Sequence, residues 1–92
     1  MTIDTIVLKN PGETIEAWKF PAMIGKRAYH VTVRKKYWQK LTGGTLSARE
    51  LVFRSLLFLL EREPKNNIMS EFSLEDIPEF FPEFEKHIIN NL

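Results

Sequence analysis

The chain has 92 residues, 43% of them hydrophobic and 27% charged, with 13 basic and 12 acidic side chains and no cysteine. A chain of that length forms one domain, residues 1–92, with a single core. The lack of cysteine excludes a disulfide framework and thiol catalysis and removes the usual ligands of structural zinc.

Thr2 to Leu8 is rich in β-branched residues and reads as an N-terminal strand, ended by Pro11-Gly12. In Thr14 to Phe20, Ile15 and Ala17 alternate with Trp18 and Phe20, a strand that Pro21 is expected to stop. Ala22 to Arg27, containing Gly25, fits a hairpin connection of moderate length. Beyond it Tyr29, Val31 and Val33 alternate with His30, Thr32 and Arg34. The period then changes: Tyr37, Trp38 and Leu41 share one side of a short helix that Gly43-Gly44 terminates.

The best helix is Ser47 to Glu63, opened by the capping-box pattern Ser47-x-x-Glu50 and stopped by Pro64. At about 100° per residue, Val52, Phe53, Leu56, Leu57, Leu59 and Leu60 fall on one broad face, opposite Arg54, Ser55, Glu61 and Arg62. Leu51 and Phe58 lie among the polar residues, so the helix either packs on two sides or leaves an apolar strip for a partner. After Pro64, KNNIMSEF reads as a connector or one helical turn. Ser73 offers a cap with Asp76 three residues on, and Pro82 is placed to open a last helix whose apolar side is Phe80, Phe81, Phe84, Ile88 and Leu92. The layout is α+β: a small antiparallel sheet, built on the hairpin 14–20/28–34 with an N-terminal third strand, packed against a long central helix 47–63 with short C-terminal helices.

FLLEREP (Phe58 to Pro64), with Phe72-x-x-x-x-Ile77 and FPEFE (Phe81 to Glu85), resembles a signature of small uncharacterised bacterial proteins. The resemblance covers the C-terminal half, matches core and capping positions, and implies a bacterial cytoplasmic origin but no function. The segment Met1 to Glu13 has neither a basic start nor a long apolar run, and Leu56 to Leu60 is too short to span a bilayer. A soluble cytoplasmic protein without membrane contact is expected.

Charge is distributed unevenly. Residues 1–49 hold nine basic and three acidic side chains, a net +6, whereas residues 50–92 hold four and nine, a net −5. Trp18, Tyr29, Tyr37 and Trp38 are interleaved with the basic run, as in sites that stack single-stranded nucleic acid while contacting its phosphates. The acidic stretch Glu71 to Glu85 can dock on a basic groove of a partner or form amphipathic turns whose aromatics plug the core. Glu83 and His87 share a helical face, but two ligands make no metal site, and His30 has no ligand pattern around it. Ser47 is explained by capping, and Gly43-Gly44 lacks the Lys-Ser/Thr of a phosphate loop. No catalytic residue, metal or cofactor is therefore expected. The sequence points to a non-enzymatic protein-interaction module that binds a protein partner or itself, as a homodimer, through Leu51, Arg54, Phe58 and Arg62. The alternative is a nucleic-acid-binding protein using Arg34, Lys35, Lys36, Trp38 and Lys40 within the basic segment 26–40.

Overall fold

A computed structural model describes residues 5–92. In chain order its elements are β1 (Ile6–Leu8), β2 (Gly12–Glu13), β3 (Ala17–Ile24), β4 (Arg27–Arg34), α1 (Lys35–Thr42), α2 (Ala48–Arg62), a 3-10 turn Lys65–Asn67, β5 (Glu71–Ser73), a 3-10 turn Leu74–Asp76, α3 (Ile77–Phe80) and α4 (Phe84–Asn90). The strands form one sheet of order β1-β3-β4-β5, with β2 on the same edge of β3 as β1. Of the expected N-terminal strand, residues 2–4 lie outside the described residues.

The hairpin pairs antiparallel from Ala17↔Arg34 to Ile24↔Arg27, which leaves Gly25 and Lys26 as a two-residue loop, tighter than expected. Gly25 has φ 60°, and no described non-glycine residue has positive φ, the pattern of a type II′ turn that suits the twist of the flanking strands. The first strand starts at Ala17 because the Thr14 hydroxyl accepts from the N–H groups of Glu16 and Ala17, folding 14–17 into a turn that leaves Ile15 exposed. Nor does Pro21 end this strand: it pairs with His30, and its carbonyl accepts from Lys9 N–H at 2.9 Å. The N and O of one strand residue point to the same edge, so the missing N–H falls between the end of β1 and the start of β2, where no ladder needs it.

The 3-10 turn Lys65–Asn67 agrees with the connector or helical turn expected over 65–72, but the end of that segment belongs to β5, which also corrects the purely antiparallel sheet. It lies parallel to β4, with Val31 opposite Phe72. The sheet's inner face carries Phe20, Ala22, Ile24, Tyr29, Val31, Val33 and Phe72, all buried, while Lys19, Ala28, His30, Arg34 and Glu71 on the outer face are exposed.

Gly43 closes α1 in the left-handed conformation at φ 60°, its N–H returning to the Gln39 carbonyl. The Ser47 hydroxyl accepts from Glu50 N–H at 3.1 Å to start α2, which lies against β1, β3 and β4. Its covered face is not quite the expected one. Ala48, Leu51, Val52, Ser55, Leu56, Phe58 and Leu59 are buried, whereas Phe53 and Leu57 are 37% and 41% exposed. Ser55 tolerates complete burial because its hydroxyl donates to the Leu51 carbonyl at 2.7 Å. α4 packs on the flank of α2 with Phe84 and Ile88 buried, while Phe80 and Leu92 of the expected apolar side are exposed. The radius of gyration, 12.5 Å, is that of one packed unit of this length, about 12 Å. Among the described residues no helix is long and apolar enough to cross a membrane.

Candidate functional site

The strip expected to meet a partner is largely covered by the chain itself. Leu51 and Phe58 are 0% and 1% exposed. Phe58 meets Phe84 and Phe81 in edge-on contacts with ring centroids 5.2 and 6.0 Å away, and the His87 ring lies 5.1 Å off. The two arginines reach the ends of α4. Arg62 places its guanidinium 3.5 Å from the Phe58 ring centre and its Nε 3.3 Å from Glu83, at the helix start. Arg54 donates to the Asn91 carbonyl at the helix end and pairs with Glu50 at 3.2 Å. Arg54, Phe58 and Arg62 thus hold α4 over α2 while Leu51 is buried in the core, which removes the apolar strip as a contact between two copies. The periodicity left packing on two sides and an open apolar strip both available, because α4, which covers Phe58, is remote in the sequence.

The basic segment is partly neutralised by the folded chain. Arg34 pairs with Glu75 at 2.8 Å and Lys19 with Glu71 at 3.2 Å, both acids from the C-terminal half. Lys35 pairs with Glu13 at 2.5 Å and lies 5.1 Å from the Trp18 ring centre. The Lys35 hydrogen bond and charge hold the Glu13 carboxyl below its ordinary range. Trp38 is committed inward. It meets Trp18 edge-on at 5.5 Å and its indole N–H donates to the Leu46 carbonyl at 2.7 Å, so its ring is no open stacking platform. Of the candidate nucleic-acid residues, Lys36 and Lys40, one helical turn apart on α1, remain exposed and outside the ion pairs among the described residues, and Lys26 and Arg27 of the same basic segment are likewise exposed and in none of those pairs.

The remaining polar side chains serve packing. Glu83 and His87 do not converge: the Glu83 carboxyl is held below its ordinary range by its own backbone N–H and by Arg62, while His87 lies on Phe58. No group of three or more His, Asp or Glu side chains placed to hold a metal occurs among the described residues. The Tyr37 hydroxyl donates to Glu85 at 2.8 Å, joining α1 to α4; burial and then this acceptor raise its pKa.

What the fold leaves open is a groove that sequence reasoning missed. Pro64 drives Glu63 into extended backbone (φ −138°, ψ 142°) and ends α2. The 3-10 turn that follows is pinned from the sheet, since the Tyr29 hydroxyl donates to the Lys65 carbonyl at 2.6 Å. This turn sends Ile68 inward and leaves Met69 52% exposed. β5 adds Phe72, and the expected Ser73–Asp76 capping box, with Ser73 N–H donating to Asp76 at 3.0 Å, turns the chain into α3. There Ile77 faces inward while Phe80 is 66% exposed. Leu59, Ile68, Phe72 and Ile77 form the floor of a cavity of about 340 Å³, with Met69 and Phe80 as its lips. Its ionisable lining groups are Glu63 and Asp76, both acidic. The sequence puts Met69 in a connector and Phe80 on the apolar side of the last helix, and assigning them to one groove requires β5.

Chemically the groove can desolvate apolar side chains beside two carboxylates; it holds no nucleophile–base pair. Compared with known proteins, the chain matches no family model, no curated protein and no solved structure.

Proposed function

We propose that the chain is a non-enzymatic cytoplasmic protein-contact module, and that its contact site is the groove between the end of α2, the 65–69 turn, β5 and α3. The observation that carries this reading is the coincidence of an apolar cavity with two large exposed apolar side chains, Met69 and Phe80, on its two sides. Exposed apolar area rimmed by polar groups favours association, because joining it to a partner removes it from water at about 25 cal/mol per Å². The absence of cysteine and the C-terminal resemblance to small bacterial proteins support a bacterial cytoplasmic setting.

Self-association through Leu51 and Phe58 has lost its support, since both are buried within one molecule. The nucleic-acid reading now rests on Lys36 and Lys40, with Lys26 and Arg27 at the hairpin loop, because Arg34 and Lys35 are paired and Trp38 is turned inward and offers no stacking platform. Site-specific photo-crosslinking in the native cell separates the readings. A crosslinker at position 69 or 80 is expected to give a protein adduct that one at His30, on the outer sheet face, does not. Adducts no more abundant at 69 and 80 than at 30 would defeat the groove. Nucleic-acid adducts from position 36 or 40 would restore the alternative.

A further inference from the structure

We infer that the groove is built for a cationic amphipathic helix of a partner protein, an inference that rests on the groove being the contact site. The first support is charge. Glu63 and Asp76 line the cavity, Glu79 is exposed beside the Phe80 lip, and neither Lys nor Arg lines it among the described residues. The two lining carboxylates hydrogen-bond to neutral donors, Glu63 to the Asn67 amide at 3.2 Å and Asp76 to the Ser73 N–H at 3.0 Å. Their charge is thereby oriented, and none of the ion pairs among the described residues cancels it. A chain with a net charge of only +1 exerts little overall field, so attraction at this site is local to these acids.

The second support is the backbone. An extended peptide that adds a strand is held by main-chain hydrogen bonds to an edge, but four of the main-chain donors bordering this groove are already used. Asn67 N–H goes to the Pro64 carbonyl at 2.9 Å, Ile68 N–H to Lys65 at 3.2 Å, Ser73 N–H to Asp76 at 3.0 Å and Phe81 N–H to Ile77 at 2.8 Å. That narrows the backbone available to an added strand and favours recognition through side chains. A helix satisfies its own backbone and presents apolar residues at i, i+3 and i+4 between flanking cations. The cavity, about 340 Å³ and open between Met69 and Phe80, is at the small end for a bound small molecule and suits a pair of such side chains.

The test uses the full chain and two labelled synthetic helices of about 18 residues, long enough to be helical, with the same Leu face and either Lys or Glu on the other face. Fluorescence anisotropy should show the Leu/Lys peptide binding at least about tenfold tighter than the Leu/Glu peptide, with a preference that shrinks as salt is added. Glu63→Gln with Glu79→Gln should narrow the preference by about threefold or more and flatten its salt dependence. Phe80→Ser, at a side chain that folding leaves exposed, should weaken the Leu/Lys peptide about tenfold without lowering the unfolding midpoint. If both peptides bind equally and Phe80→Ser weakens both, the groove survives and the cationic partner is overturned. If neither binds, or Phe80→Ser changes nothing, the groove itself fails. A second copy as occupant would show as a dimer in sedimentation equilibrium that Phe80→Ser dissociates, and would also overturn the inference.

Discussion

Phe58→Ala tests the placement of α2 most directly. The side chain is 1% exposed, meets two phenylalanine rings and lies under the Arg62 guanidinium at 3.5 Å. Truncating a buried Phe to Ala costs about 3–5 kcal/mol, counting lost transfer energy and the cavity left behind. Here the upper part of that range applies, because each edge-on aromatic contact adds about 0.5–1.5 kcal/mol and a ring-stacked guanidinium about 0.5–1 kcal/mol. A chain of 92 residues has a total stability of about 5–14 kcal/mol, so the loss is a large share of it. With a urea m-value of about 1–1.5 kcal/mol per M, the midpoint should fall by about 3–5 M, or the protein should be unfolded from the start. The comparison is Phe53→Ala on the same helix, 37% exposed, which should cost less than about 1 kcal/mol. If Phe53→Ala destabilises as much as Phe58→Ala, α2 presents its other side to the sheet and the packing described above is wrong.

Tyr29→Phe should cost about 1–2 kcal/mol in urea denaturation, because it leaves the Lys65 carbonyl without its 2.6 Å donor while keeping the ring; an unchanged midpoint would show that the contact contributes nothing. Gly25→Ala should destabilise by about 1 kcal/mol through the left-handed φ of 60°, whereas Lys26→Ala in the same loop should be near neutral. The folded carboxyls of Glu13 and Glu83 are depressed, so their contribution is present above the unfolded carboxylate range and disappears as pH falls through that range towards the folded pKa values. Thermal unfolding followed from neutral to acid pH should accordingly show a smaller acid-induced drop in Lys35→Met and Arg62→Met than in the parent, and equal drops would discount these pairs.

The elements whose own residues carry a period were readable. β4 alternates cleanly, α1 shows Tyr37, Trp38 and Leu41 at helical spacing before Gly43, and Ser47 and Pro64 bracket α2. What the sequence did not resolve was which side of α2 is covered. Apolar residues nearly surround that helix, so its period specifies helix without specifying orientation, and the burial of Phe58 over Phe53 is decided by α4, some thirty residues later. β5 was illegible for a similar reason: three residues with one buried side chain carry no detectable alternation, and their partner strand precedes them by about forty residues. The groove inherited that obscurity, since Phe72 is the residue that joins Ile68 and Met69 to Ile77 and Phe80.

The parallel placement of β5 also has a kinetic meaning. The hairpin of β3 and β4 closes over a two-residue loop and can form within microseconds, whereas Glu71 to Ser73 can join β4 only after the intervening α1 and α2 have folded back over the sheet. Such a strand, late to arrive and held on one edge only, is the natural first piece to detach in sub-global opening, ahead of the hairpin. Because Phe72 is at once part of the sheet and part of the groove floor, a partner seated there would hold β5 in place, and its occupancy could be read as slowed hydrogen exchange at Phe72 and Leu74 with little change across β3.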